Sequence, residues 1–382
     1  MAARHVIIVA PSDDIHALAV RKRILDLYDG SIACHIFDVA TYPLHSRIEA
    51  CFEVNNGRVA LHIAPPFAES IGPQAGKLLL SPSIREQATT VILDEDTAVW
   101  WRRARRPVVH PDVTEPEFGE FCALVLNATL LSALNLCHVR NAFDAESMAD
   151  RKIHQMHAAV SVGLNVPRTL VSQDVRAVEE FASQLKSAGK VVLHKHAAST
   201  RLFGKPVRLF DNAARARLAH SSYAPSIFQE EIAGGDDLRI AVIGNTIFCC
   251  AWRGASQPRI LRDIRLDEDA RMHRMPLPSG LSELLLRLHS ALKLDIGIYD
   301  FKLNGDGTPF FLEVNPSGQW LDMEINGEQP ITDAIAHLLV EGGTSAQPRY
   351  SSHRLRDEDL TLMMPDAVDT MSLHWTQSFG RS

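Results

Sequence analysis

Residues 298–315 read IYDFKLNGDGTPFFLEVN, a pattern typical of two short strands joined by a turn. The dipeptide Asp306-Gly307 is a favoured two-residue hairpin turn. If the chain turns there, Asp300 lies opposite Glu313. Asn315 then follows two residues further along, on the same face of the hairpin.

The other face of this hairpin is apolar. The same register pairs Leu303 with Phe310, and side-chain alternation sets Phe301 and Leu312 beside them. We therefore predict that these four side chains belong to the core and that the polar trio faces outward.

The polar face predicts a metal site. Two carboxylates that face each other across a sheet repel, which destabilises the pair unless a cation lies between them. Asp300, Glu313 and the Asn315 amide offer hard oxygen donors of the kind that magnesium takes, and magnesium usually keeps positions for phosphate oxygens. The trio thus points to a site for a nucleotide and a metal, with a solvated polar face on an ordinary hairpin as the alternative.

The N-terminal part predicts a small parallel α/β unit. Residues 5–10 are strand-like, Ser12-Asp13-Asp14 is a helix-start signal, and the amphipathic run that follows ends at Gly30 before a second strand over 32–37. The loop after the first strand has no G-x-G-x-x-G, so no dinucleotide fingerprint is expected there.

Further elements follow along the chain. One helix is predicted from about residue 145 to Gly163, and a second begins with Ser172 as its N-cap and ends at Gly189. Two strands flank the Gly244-Asn245 turn, and a helix over 281–294 carries a leucine stripe that faces a core.

Composition excludes several classes of function. The chain has 382 residues and a formal net charge of -7, which argues against non-specific nucleic-acid binding. No apolar stretch approaches the roughly 20 residues of a membrane span, and the N-terminus lacks a signal-peptide layout. Its 6 cysteines form no C-x-x-C pair, so we expect reduced thiols in a cytoplasmic protein.

Several of these segments resemble one enzyme family. Asp300-Phe301 and residues 311–320, FLEVNPSGQW, closely resemble the metal-binding end of ATP-grasp enzymes. Gly318-Gln319-Trp320, Glu324 and residues 330–336, together with VWWRR at 99–103, resemble the branch of ribosomal-peptide maturases, the microviridin-type or graspetide synthetases. The resemblance runs from the first strand to about residue 340.

The resemblance implies an α/β chain with the ATP-grasp fold, divided into five parts. These are an N-terminal pre-ATP-grasp α/β domain (1–120), a first ATP-grasp segment (121–190), a central lid domain (191–235), a C-terminal ATP-grasp domain with the metal site (236–342) and a C-terminal extension (343–382).

The resemblance also implies a nucleotide clamp for ATP and magnesium. Two lysines would face the phosphates, an arginine would approach the transferred phosphoryl group, and a hinge would meet adenine through the backbone of Glu230 and Ile232. The implied nucleotide-binding residues are Lys152, Lys195, Gln229, Glu230, Glu231, Ile232, Asp237 and Arg239, of which Lys195 and Arg239 would be catalytic. Residues 197–204 occupy the place of the family's phosphate loop. Solvated surface charges are the alternative for the lysines and arginines.

The implied substrate is a ribosomal precursor peptide whose Asp or Glu side chains are activated as acyl phosphates and joined to hydroxyls or amines. The basic run Arg102, Arg103, Arg105 and Arg106 could receive an acidic peptide, and Arg253 could bind phosphate or carboxylate. A homodimer is compatible with this assignment, whereas nucleic-acid and membrane partners are not expected. The alternatives are a glutathione-synthetase-like or RimK-like ligase of free amino acids or small peptides, and a non-catalytic nucleotide-binding regulatory protein.

Overall fold

The computed structural model describes residues 3–54, 56–63, 89–196, 207–216, 224–253 and 271–343, with the backbone alone for His196, Arg253 and Arg271. The predicted phosphate loop at 197–204, the Arg253 side chain and all but the first residue of the predicted extension lie outside the described residues.

The strands of the described ranges are β1 (His5–Val9), β2 (Ala33–Phe37), β3 (Arg47–Glu53), β4 (Asn56–Ile63), β5 (Thr89–Ile92), β6 (Thr97–Trp101), β7 (His138–Arg140), β8 (Thr169–Ser172), β9 (Val192–His196), β10 (Arg208–Leu209), β11 (Ser226–Glu230), β12 (Asp237–Ile243), β13 (Thr246–Arg253), β14 (Arg271–Arg274), β15 (Ile296–Leu303) and β16 (Pro309–Asn315). The helices are α1 (Ile15–Leu27), α2 (Pro116–Leu134), α3 (Phe143–Ala149), α4 (Lys152–Ser161), α5 (Val175–Ser187), α6 (Asn212–Ala216), α7 (Leu281–Ala291), α8 (Leu321–Ile325) and α9 (Ile331–Glu341).

Four of the N-terminal strands form a parallel sheet in the order β2-β1-β6-β7, whereas β3, β4 and β5 form a separate antiparallel sheet. The predicted β-α-β unit is confirmed, and α1 begins after Asp14 because that carboxylate accepts hydrogen bonds from the N–H groups of His16 and Ala17. Helix α1 packs on α9, where Arg23 and Asp333 form a buried ion pair at 2.6 Å. This pair ties the N-terminal unit to the C-terminal part of the chain.

Two antiparallel sheets follow, in the orders β10-β9-β11-β8 and β14-β13-β12-β15-β16. The Gly244-Asn245 hairpin is confirmed between β12 and β13, with Gly244 at φ 56°. The leucine stripe of α7 is also confirmed, because Leu281, Leu285 and Leu288 are buried in one cluster with the apolar face of the five-stranded sheet. The structure thus has the mixed α/β architecture that the sequence predicted.

Helix boundaries differ from the prediction in two places. The single helix expected from about residue 145 to Gly163 is two helices, because Arg151 is extended (φ -80°, ψ 115°) and separates α3 from α4. Lys152 consequently opens α4 instead of lying inside a longer helix. In α5 the cap is Asp174, whose carboxylate accepts from the Arg176 N–H, and not Ser172.

The expectation that no apolar stretch approaches the length of a membrane span is wrong for helix α2. Its 19 residues are long and apolar enough to cross a bilayer by length and composition alone, and only 17% of the most apolar 18-residue window is buried. Its Leu130, Ala133 and Leu134 pack into the core of the N-terminal unit. Length and composition are weak evidence for a span, and the expectation of no membrane partner stays a prediction.

Candidate active site

The β15–β16 hairpin brings the predicted trio together. Asp300 pairs with Glu313, as predicted, and Asn315 pairs with Ile298 further along the same face. Asp300 also lies opposite Arg239 of β12, so a row of charges crosses three neighbouring strands. The trio's arrangement on one sheet face therefore follows directly from strand alternation.

The turn that joins the strands differs from the prediction. Residues 304–308 form a five-residue loop in which the Asn304 N–H donates to the Thr308 carbonyl at 3.0 Å. Leu303 pairs with Pro309, not with Phe310, and a bulge between Asp300 and Phe301 restores the register further along. The longer loop and the bulge compensate for each other.

The bulge changes which aromatic residue is buried. Phe311 pairs with Phe301, and both rings are buried with a centroid distance of 5.6 Å. Phe301 and Leu303 lie in the core as predicted, whereas Phe310 and Leu312 are only partly buried. The predicted core positions on β16 were wrong because the extra residue reverses the alternation there.

The two carboxylates of the trio are balanced by two of the predicted phosphate-facing cations. Lys152, at the start of α4, lies 2.9 Å from a carboxylate oxygen of Glu313. Arg239 lies 2.9 Å from a carboxylate oxygen of Asp300, and its other nitrogens donate to the Gln319 carbonyl at 3.2 and 2.9 Å. In the row Arg239–Asp300–Glu313–Lys152 a cation flanks the carboxylate pair on each side, which relieves the carboxylate repulsion.

The trio has donors that suit magnesium. Within the part of the chain that the structure describes, no group of three His, Cys, Asp or Glu side chains is gathered as a metal site. A cation at the hairpin would therefore use the two carboxylates, the Asn315 amide oxygen and oxygens from outside the protein, which is a donor set that magnesium accepts. The amide oxygen is held in place because it accepts from the Ser317 N–H at 3.1 Å.

A buried arginine fixes the turn that follows Asn315. Arg102 has 0% of its surface exposed, and one guanidinium nitrogen donates to the carbonyls of Ser317 (3.1 Å) and Gly318 (3.0 Å). Its Nε donates to Asp14 at 3.1 Å, and the guanidinium lies 4.9 Å from the ring centroid of Trp320. The prediction that Arg102 receives a peptide is therefore wrong for this arrangement, since the side chain is enclosed by the protein.

The electrostatics around Arg102 support a fixed ion pair. Burial alone would raise the pKa of Asp14, but the Arg102 guanidinium and the amide donors outweigh it and hold that pKa below its usual range. Burial and the nearby Arg102 hold the pKa of His16 well below its ordinary value, so His16 is neutral and packs edge-on against Trp320. Asp14 and Arg102 are thus the charged partners here.

The remaining arginines of the predicted basic cluster do not form one surface. Arg103 donates through Nε to the Ser317 carbonyl at 2.9 Å, next to Arg102. Arg105 instead pairs with Asp13 at 3.0 Å and Asp38 at 3.4 Å, and Arg106 is exposed. Arg103 is therefore the member of the cluster that reaches the site from the exposed side.

The predicted adenine hinge and Lys195 lie in the four-stranded antiparallel sheet. Lys195 on β9 pairs with Ile227 of β11, and buried Gln229 donates to the Thr169 hydroxyl at 2.8 Å. The N–H groups of Glu230 and Glu231 donate to the carbonyls of Arg168 and Val191. This sheet does not contain the trio, so the predicted site residues divide between two sheets.

Two of the acidic residues predicted near the nucleotide form ion pairs with lysines. Glu230 pairs with Lys190 at 3.0 Å, and Asp237 pairs with Lys302 at 3.1 Å at the start of β12. Ile232 is the second residue after β11. The backbone and side-chain roles assigned to these residues stay predictions.

Sequence reasoning missed two buried amides that hold the hairpin. Gln155 of α4 donates to the Val314 carbonyl at 2.8 Å and accepts from the Val314 N–H at 3.1 Å, completing the outer edge of β16. Asn141 donates to the carbonyls of Ile296 (2.8 Å) and Pro316 (3.1 Å) at the two strand ends. Neither residue stands in a recognisable motif, because each acts on a segment more than 150 positions away in the chain.

Comparison with known proteins identifies the fold. No protein-family model and no curated protein matches the chain. Among solved structures, it is similar to the macrocyclase MdnC of Microcystis aeruginosa MRC, bound with precursor peptide MdnA (21% identity, 88% of this chain and 98% of that chain, TM-score 0.70). It is also similar to a RiPP-associated ATP-grasp ligase of Chryseobacterium gregarium, in complex with ADP and a leader and core peptide (18% identity, 92% of this chain and 99% of that chain, TM-score 0.71). A third similar structure is the ATP-grasp ligase PsnB, complexed with a phosphomimetic variant of its minimal precursor, Mg and ADP (20% identity, 90% of this chain and 100% of that chain, TM-score 0.62).

The chain therefore has the ATP-grasp fold, as the hairpin motif predicted. The likeness covers most of this chain and nearly all of each solved one. At these identities it establishes the fold alone.

Proposed function

We propose that the chain is an ADP-forming ligase that activates Asp or Glu side chains of a ribosomally made precursor peptide and joins them to Ser, Thr or Lys side chains. The observation that carries the proposal is the charge row in which Asp300 faces Glu313 between Arg239 and Lys152. Two adjacent carboxylates with adjacent cations suit a site that must hold both a metal and phosphate groups. Solved proteins of this fold with ADP, magnesium and precursor peptides support the choice of ligands.

The reaction divides into two steps. A substrate carboxylate oxygen attacks the γ-phosphorus of ATP, and ADP leaves, giving an acyl phosphate. The hydroxyl or amine of a second side chain then attacks the carbonyl carbon, and inorganic phosphate leaves with the electron pair of the broken bond. The protein's task is to position these groups and to stabilise charge.

The residues of this chain have defined parts in that scheme. Asp300, Glu313 and Asn315 would hold magnesium, which would neutralise negative charge on the nucleotide phosphates when bound. Lys152 and Arg239, which pair with the carboxylates, would turn to the phosphates, with Lys195 as a further cation. Residues 191–235 form the proposed domain that closes over the nucleotide and keeps water from the acyl phosphate.

The other predictions stay with the proposal as hypotheses. Glu230 and Ile232 would meet adenine through their backbone, and Gln229, Glu231 and Asp237 would line the nucleotide site. We expect the enzyme to lie in the cytoplasm and to bind no nucleic acid. The alternatives are a ligase of free amino acids and a non-catalytic nucleotide-binding protein.

Reconstitution distinguishes these functions. The purified chain, ATP, magnesium and the precursor peptide encoded beside its gene should give a peptide lighter by one water for each ADP formed. A peptide heavier by an added amino acid would favour a ligase of free amino acids. Nucleotide binding without ADP formation in the presence of this precursor would favour the regulatory protein.

A further inference from the structure

A cavity of about 480 Å³ opens beside the metal-site hairpin. Four segments of the chain line it: the end of β6 with the residues that follow it, helix α2, helix α3 and the turn after β16. Its lining includes Trp101, Arg103, Phe143, Glu146, Asn315 and Ser317. Because Asn315 belongs to the proposed metal trio, an acyl phosphate formed there would adjoin this cavity.

The cavity holds a carboxylate that the proposed metal and nucleotide sites do not use. Glu146 accepts a hydrogen bond from the Ser317 hydroxyl. Trp101 and Phe143 form an apolar wall, edge to face at 4.7 Å between ring centroids. Within the described part of the chain, Glu146 forms no ion pair with a lysine or arginine.

The surroundings of Glu146 suit a group that takes up a proton near neutral pH. Burial raises its pKa to about 7, against the partly opposing effect of the Ser317 hydroxyl. The charged groups around it are Asp150 at the end of α3, which raises the pKa, and Arg102 and Arg103 directly after β6, of which Arg102 lowers it. An effective general base needs a pKa close to the working pH.

We propose that this cavity receives the attacking side chain of the peptide and that Glu146 accepts its proton. The inference rests on the proposed ligase function and adds an acceptor subsite to it. The hydroxyl or amine bonds to the acyl carbon, the carbon–oxygen bond to phosphate breaks, and the proton passes to a carboxylate oxygen of Glu146. Phosphate leaves, and the proton is later released to water.

The test separates the two steps with Glu146→Gln, which keeps the shape and the hydrogen bond from Ser317. Acyl phosphate is measured as hydroxamate after trapping with hydroxylamine, and crosslinking is measured as water loss from the precursor. The control is Asp144→Asn, an exposed carboxylate on the same helix that does not line the cavity. Glu146→Asp, which keeps a carboxylate with a shorter reach, serves as the rescue variant.

We expect Glu146→Gln to form hydroxamate at the wild-type rate and to crosslink roughly 10²-fold or more slowly, the usual contribution of a general base. Glu146→Asp should recover part of the crosslinking rate, and Asp144→Asn should match the wild type. Normal crosslinking by Glu146→Gln would overturn the proposal. Equal loss of hydroxamate and crosslinking would overturn it too, because Glu146 would then support the Asn315 turn. If the wild type itself formed no hydroxamate, the proposed ligase function would fail, and the acceptor subsite with it.

Discussion

At the scale of single residues, Glu313 has two cationic partners that would exclude each other: Lys152 and the proposed metal ion. Lys152 neutralises it in the structure, and the proposed metal would take its place when nucleotide binds. The Lys152–Glu313 pair is partly exposed, so it contributes at most about 1 kcal/mol to stability. The negative charge of Glu313 therefore matters to the proposed chemistry far more than to the stability of the fold.

Glu313→Gln should separate these effects. We expect magnesium-dependent ADP formation to fall by roughly 10²-fold or more, because a charged donor facing the phosphates is lost. The thermal unfolding midpoint should stay close to that of the wild type. Glu283→Gln, at a side chain that is 83% exposed on α7, is the matched control. Normal turnover with normal magnesium dependence would remove Glu313 from the metal site.

Arg102 belongs to the same scale but has a structural role. Replacing it with lysine keeps the charge and loses the forked contacts to Asp14, Ser317 and Gly318. We expect Arg102→Lys to lower the free energy of unfolding by about 3 kcal/mol, measured by urea denaturation, since a buried ion pair is disrupted. Arg106→Lys, at an exposed position four residues on, should be neutral. Equal stability of the two variants would contradict a clamp at Arg102.

At the scale of elements, the hairpin shows what sequence patterns can and cannot specify. Alternation and the Asp-Gly signal gave the two strands and the facing pair Asp300 and Glu313, because both depend on local periodicity. The five-residue loop and the bulge were not predictable, since two small departures from ideal pairing cancel at Asp300. The break between α3 and α4 was also not predicted from the sequence, because Arg151, where the chain becomes extended, is not a helix-stop residue such as glycine or proline.

The turn after β16 requires a glycine at position 318, because there is no room for a side chain there. A Cβ on Gly318 would lie 2.5 Å from the Ile298 Cβ, which is too close for any rotamer to relieve. We expect Gly318→Ala to cost roughly 1–3 kcal/mol of unfolding free energy and to slow magnesium-dependent ADP formation, because the turn holds Asn315.

Gly305→Ala is the control for that variant. It lies in the loop of the same hairpin, where an added Cβ meets nothing within 4 Å. Its stability should stay within about 0.5 kcal/mol of the wild type in the same urea titration. If Gly318→Ala were equally stable and equally active, the close packing of the turn on Ile298 would be unimportant.

At the scale of the whole molecule, the site is assembled from distant parts of the chain. Asp14 and Arg102 come from the N-terminal unit, Lys152 and Gln155 from α4, and Asp300 from the C-terminal sheet. The family motif identified the fold and the trio because those residues are contiguous or nearly so. It did not identify the clamp, the buried amides or Glu146, because their roles arise from packing between segments over 150 residues apart.

The proposed function requires that the substrate carboxylate is activated as an acyl phosphate. This requires one carboxylate oxygen to leave with phosphate, since the bond that breaks in the second step joins that oxygen to the acyl carbon. The direct measurement uses a precursor peptide whose Asp and Glu carboxylates carry oxygen-18, incubated with the enzyme, magnesium and unlabelled ATP. Mass spectrometry of the released inorganic phosphate should find one oxygen-18 atom for each crosslink formed. Crosslinked peptide accompanied by unlabelled phosphate would contradict activation of the carboxylate as an acyl phosphate.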